Sequence, residues 1–227
     1  MAYNVTEKET QPKTFNHFNG STEEILARYC ISELLKGWPV YRDVSEWKNF
    51  RSIFTDEGAH IFTTWSGGVP IDDFIRISQE KRAQGDFIMH RENGTLVDLN
   101  LPLERAVGRM KATITQRVNL QDFDIDVECD CRVVFFVKKQ HDGWKAQYSK
   151  VLYEKDRLVP VDGNHAPEVD LQSIQHYPVG YRYLAWAQSQ LGHKVPTDLP
   201  TLNNEGFYKM TETATAWLEG NEVDIFW

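Results

Sequence analysis

The chain has 227 residues, 41% hydrophobic and 26% charged, which suits one well-buried domain with an extension and argues against both a disordered polymer and two full enzyme domains. Its net charge of −8 and isoelectric point near 5.4 lack the clustered Lys and Arg from which phosphate affinity is built, which argues against a nucleic-acid partner. No apolar run nears the roughly 20 residues of a membrane span, and Met1 to Gly20 is not of signal-peptide type, so the expectation is a cytoplasmic protein with no membrane partner.

Residues 1–20 are polar with little periodicity and read as a mobile arm. Ser21-Thr22-Glu23-Glu24 has capping-box form and opens a first helix, whose stripe reads Ile25, Leu26, Tyr29 and Cys30. Gly37-Trp38-Pro39 should interrupt it, because proline donates no backbone hydrogen bond. A second helix is expected from Val44 to about Ile53, a β segment over Ala59 to Trp65 closed by Ser66-Gly67-Gly68, and a helix over Ile71 to Ala83 with Phe74, Ile75 and Ser78 on one side. Sheet follows: Phe87 to Arg91, Arg105 to Leu120, Val127 to Lys139 and Trp144 to Tyr153, the last two joined by a turn at His141-Asp142-Gly143. In the Arg105 strand, Met110, Ala112, Ile114, Gln116 and Val118 alternate with Arg109, Lys111, Thr113, Thr115 and Arg117. From Pro160 to Pro178 the chain reads as loop; Tyr181, Leu184, Ala185, Gln188 and Leu191 then form a helical stripe ending at Gly192. The apolar Asp224-Ile225-Phe226-Trp227 end should dock on the domain or on a neighbouring subunit. Cys30, Cys129 and Cys131 are odd in number and read as reduced packing residues. Helices first and curved antiparallel sheet after make an α+β fold, divided into the arm 1–20, a domain 21–162 and a partly helical extension 163–227.

Asp43-Val44-Ser45-Glu46-Trp47, then Phe54-Thr55-Asp56-Glu57, Met89-His90, Trp144-Lys145 and Tyr153-Glu154-Lys155-Asp156, taken in this order, resemble the SnoaL-like branch of the nuclear transport factor 2-like superfamily. Scytalone dehydratase, ketosteroid isomerase and limonene epoxide hydrolase belong to the same superfamily. The resemblance implies a cone of curved antiparallel sheet closed by N-terminal helices over a mostly apolar cavity. It also implies a homo-oligomer, dimer or trimer, with dimers commonly formed through the outer sheet face. It matches Asp43 to an orienting aspartate and His90 to a catalytic histidine. Where scytalone dehydratase has a tyrosine before that aspartate this chain has Arg42, and where it has a second histidine this chain has Thr115. The extension has no counterpart in the minimal domain.

An imidazole paired with a carboxylate is minimal equipment for moving a proton: the carboxylate accepts one ring N–H and fixes the tautomer, leaving the other nitrogen to act. His90 and Asp43 are the catalytic candidates. Each has a structural alternative. Asp43 stands three residues before Glu46, a capping-box spacing, and His90 could be a strand-end histidine bonded to backbone. Arg42 could face a cavity and bind an enolate, or pair at the surface. Tyr41, Trp47, Trp65 and Tyr148 are cavity walls or core, and Thr115 and Arg117 line the pocket only if their strand face is the concave one. The seven histidines show no metal-ligand spacing, and no glycine-rich nucleotide loop or nucleophile elbow is present, so neither metal nor cofactor is expected. The leading expectation is a lyase or isomerase acting on a small cyclic or aromatic oxygenated substrate, by dehydration first. A non-catalytic binding or scaffold module is the alternative.

Overall fold

A computed structural model describes residues 20–141, 143–202 and 204–227; most of the proposed N-terminal arm, and Asp142 of the expected turn, lie outside them. The first helix, α1 (Thr22–Leu35), starts on the expected capping box: Ser21 accepts the N–H of Glu24, and the Glu24 carboxylate accepts that of Ser21. Its buried side is not the expected one. Ala27, Ile31 and Leu35 face the core, while Ile25, Leu26, Tyr29 and Cys30 are exposed. The choice between two apolar stripes is made by the surface beneath, where the Leu35 side chain occupies the place a side chain on Gly108 would need. Pro39 does not break the chain into loop. It lies in the first turn of a new short helix, α2 (Gly37–Arg42), where a missing N–H costs nothing. The second expected helix is shorter than read, α3 (Trp47–Ser52).

Strands β1 (His60–Thr63) and β2 (Gly67–Pro70) form a small hairpin, and the glycines expected to close the segment belong to β2. Helix α4 (Ile71–Ala83) has the expected bounds and buries Ile71, Phe74 and Ser78. The long strands are β3 (Phe87–Asn100), β4 (Arg105–Leu120), β5 (Phe123–Gln140) and β6 (Gly143–Pro160). β3 runs well past Arg91 because the Asn93-Gly94 step is absorbed as a bulge between Glu92 and Thr95. Gln121 and Asp122 both take positive φ, as a tight turn between β4 and β5 requires.

All six strands form one open sheet in the order β2-β1-β6-β5-β4-β3. It is not purely antiparallel, since β1 pairs with β6 in parallel. One face carries the main core: Met110, Ala112, Cys129, Cys131, Val133 and Phe135 meet Ile31, Leu35, Trp38, Phe50 and Phe74 from the helices. The extension adds to both faces. Helix α5 (Arg182–Gln190) lies on the core face, its start held by the Asp156 carboxylate of β6, which accepts the Leu184 N–H at 2.8 Å. Helix α6 (Glu205–Leu218), for which the sequence gives no clear stripe, crosses the opposite face. There Met210, Ala214, Trp217 and Ile225 cover Val107, Val134 and Phe136, and the Trp217 indole N–H is shared between the carbonyls of Ala106 and Val137 at 3.1 and 3.0 Å. The Lys150 ammonium holds the last turn of chain by donating to the Ile225 and Trp227 carbonyls and lying over the Trp227 ring.

Candidate active site

Asp43 follows directly on α2, still in helical conformation, and Ser45 then takes a φ of 65° that turns the chain into α3. No side chain caps α3, so the Asp43 carboxylate is not consumed as a cap. Its partner is supplied by β3, an edge strand whose outward N–H groups must find acceptors beyond the sheet. Asp43 Oδ2 accepts the backbone N–H of His90 at 2.5 Å, and Oδ1 sits 2.7 Å from His90 Nδ1. Two bonds from one carboxylate fix both the position of His90 and the plane of its ring. Behind Asp43, Arg82 donates to its backbone carbonyl at 2.8 Å.

A carboxylate only accepts, so the Nδ1 facing it carries the proton and Nε2 holds the lone pair. The His90 side chain is 5% exposed. Burial lowers its pKa below the ordinary histidine value, the Asp43 bond opposes that, and the Arg42 charge lowers it further. The ring is therefore neutral at neutral pH, with its basic nitrogen unused. Arg42 is itself buried, and loss of solvent brings its pKa down to about 10, against the pull of Asp43. It remains a cation at neutral pH. Its Nη1 lies 3.6 Å from Asp43 Oδ1, its guanidinium centre 5.5 Å from the Phe74 ring centroid, and its Nε has no partner.

His90 opens on a cavity that also presents Trp38, Arg42, Trp65, Phe74, Ile114, Gln116, Tyr153, Leu184 and Gln188. The enclosed space it holds is small, about 30 Å³. A second lobe shares Arg42, Trp65, Ile88, Gln116 and Gln188 with the first and leads past Trp47, Ser78 and His193. Thr64, a buried lining residue, is tied to the wall, its N–H bonded to the Tyr153 hydroxyl at 2.9 Å. The inner lobe is mainly aromatic and aliphatic with a few polar side chains, the usual make-up of a site for a small organic molecule, whereas the outer lobe is mostly polar and includes Lys81, Arg82 and Asp86. Among the described residues no group of three or more His, Cys, Asp or Glu side chains is placed to hold a metal ion.

Of the nine candidates, the structure brings together Asp43, His90, Arg42, Trp65 and, at the outer lobe, Trp47. The other four stand elsewhere. On β4 the concave face carries Ile114 and Gln116, so Thr115 and Arg117, one residue out of phase, point the opposite way. Arg117 is spent there on a two-bond pair with Asp126, at 2.5 and 2.8 Å. Tyr148 packs on the outer sheet face against Phe136 and Trp217. Tyr41 packs against the core, its ring covering Gly37. Gln116 and Gln188, joined by a bond of 3.0 Å between their amides, were not among the candidates. Their signal was in the sequence: each is a polar residue at an inward position of an otherwise apolar strand or helix stripe.

A model of the SnoaL-like domain matches residues 23–150. The PEP2-like protein NECHADRAFT_97050 of Fusarium vanettenii is 43% identical over 95% of this chain and 96% of its own. Pea pathogenicity protein 2 of the same organism is 41% identical over the same shares. Among solved structures, hexachlorocyclohexane dehydrochlorinase LinA-type3 from Novosphingobium barchaimii superposes with a TM-score of 0.50 at 12% identity, covering 65% of this chain and 98% of its own. No helix of the described residues is long and apolar enough to cross a membrane.

Proposed function

The chain belongs to the SnoaL-like family, and on that premise we propose that it is a cofactor-independent lyase that dehydrates a small cyclic or aromatic oxygenated compound. The observation that carries the proposal is the single carboxylate of Asp43 holding both the ring and the backbone of His90 at the wall of an aromatic cavity. In this reading His90 Nε2 takes a proton from the carbon next to a carbonyl, and the C–H electron pair moves into an enolate. Asp43 stabilises the imidazolium so formed, and Arg42 stabilises the enolate oxygen. The enolate then re-forms the carbonyl, a carbon–carbon double bond forms, and the neighbouring hydroxyl leaves with the proton that His90 returns. Substrate and products balance as one molecule less one water, and the histidine ends neutral. The pair accounts for about 10²–10⁴-fold of rate, the ordinary range for positioned acid/base groups. The structural relative named a dehydrochlorinase shares the fold, and loss of a leaving group is the reaction type proposed here.

The test is a panel of cyclic β-hydroxy ketones incubated with the protein and followed by mass spectrometry. Products lighter by one water should appear with the wild type and be lost with His90→Ala. A His90→Ala protein that turns over as fast as the wild type ends the proposal.

A further inference from the structure

Four residues that line this one cleft each carry a buried polar atom without a protein partner: Trp38 Nε1, Arg42 Nε, Ser78 Oγ and Gln188 Oε1. Buried polar atoms are nearly always paired, so a cluster of unpaired ones on the residues around a cavity points to where a ligand's own polar groups belong. The first two are donors, and the hydroxyl of Ser78 can serve either way. Gln188 is different in kind. It is 3% exposed, its Nε2 is committed to Gln116 Oε1 at 3.0 Å, and its carbonyl oxygen can only accept.

We propose that Gln188 is a ligand-binding residue, supplied by the extension, whose amide oxygen selects molecules that carry a hydrogen-bond donor. Its helix lies outside the residues matched by the family model, so the specificity of this cavity is set in part by chain that the domain itself does not contain. Helix position and amide direction are both fixed. Asp156 holds the start of α5 through Leu184, and the bond to Gln116 on β4 turns the amide so that its oxygen is the free end. The inference deepens the reading above, which supplies the cavity's purpose, but it is tested by binding alone.

Phenol and anisole are suitable probes, since they differ by a methyl group that removes the only strong donor. With the full chain, titration followed by NMR or calorimetry should show phenol bound about tenfold more tightly than anisole, the effect of one buried hydrogen bond. Gln188→Met keeps the side-chain length and removes the acceptor, so phenol should weaken to the level of anisole, which should itself change little. Anisole binding retained in Gln188→Met, with an unchanged circular dichroism spectrum, is the control for folding. The preference should survive in His90→Ala, so loss of turnover in that variant and loss of discrimination at Gln188 report on separate claims. Equal binding of both probes to the wild type, no binding of either, or an undiminished preference in Gln188→Met each overturns the assignment.

Discussion

Replacing Asp43 by Asn alters charge and leaves shape almost unchanged, which makes it the sharpest perturbation of the site. The carboxylate accepts twice from His90, at 2.5 Å from the backbone and 2.7 Å at Nδ1. An amide has only one accepting atom. Either its NH2 faces the His90 backbone N–H, donor against donor, or it turns toward Nδ1 and forces the ring proton onto Nε2, which removes the base. The second arrangement relieves the clash and should dominate. Losing one charge-assisted bond and the counter-charge to buried Arg42 should cost about 2–4 kcal/mol of stability. If the proposed chemistry holds, turnover should fall by about 10²–10⁴-fold. Nitrogen-15 NMR of the histidine rings reads the tautomer directly and needs no substrate. The wild-type ring should be protonated at Nδ1 and remain neutral to below pH 6.5, because burial, the largest influence on it, favours the uncharged form. The folded state then binds its proton less readily than the unfolded chain. Its stabilising effect is present above pH 6.5 and fades as the pH falls from there toward the lowered pKa. A wild-type ring protonated at Nε2, or a tautomer unchanged in Asp43→Asn, would refute the reasoning.

Burial raises the Asp156 pKa to about 7, against the pull of the Leu184 and Tyr183 N–H groups. A carboxyl whose folded pKa lies above its unfolded value makes stability decline as pH rises from about 4 to 7. Asp156→Asn, which keeps an acceptor for α5, should flatten that decline in thermal unfolding followed from pH 4 to 8. Lys150→Met should free the chain end it holds, with a loss of about 1–3 kcal/mol and a shift in tryptophan emission; an unchanged spectrum and melting temperature would show that the clamp contributes nothing. At Gly180 a Cβ would lie 2.7 Å from the Tyr153 carbonyl oxygen, and backbone cannot step aside. Gly180→Ala should therefore cost about 1–3 kcal/mol, seen in chemical denaturation, and weaken phenol binding by shifting α5.

What the sequence made legible was what local pattern controls. The alternation of β4 and the bounds of α4 follow from periodicity alone, because each element presents one clearly apolar face. The capping box of α1 was equally plain, yet its packing face was not, since two apolar stripes compete there and only the groove over Gly108 chooses between them. Helix α6 went unread because Thr211, Thr213 and Thr215 dilute its pattern; their hydroxyls are satisfied by carbonyls one turn back. At the site, the Asp43 and His90 contact was reachable through family likeness, not through spacing, because 47 residues separate the pair. Thr115 and Arg117 could be placed only conditionally for a reason of phase: the strand's alternation is plain in the sequence, but which side faces the cavity depends on where the helices pack.

The placement of α6 decides what this protein can stick to. It lies across the convex side of the sheet and seals Val107, Val134 and Phe136 from water with residues of the same polypeptide. Two copies cannot meet back to back on those strands unless each first peels off its own covering, so any self-association must recruit other ground. A chain cut before Glu205 would bare a greasy plate, and its first measurable property would be a tendency to clump.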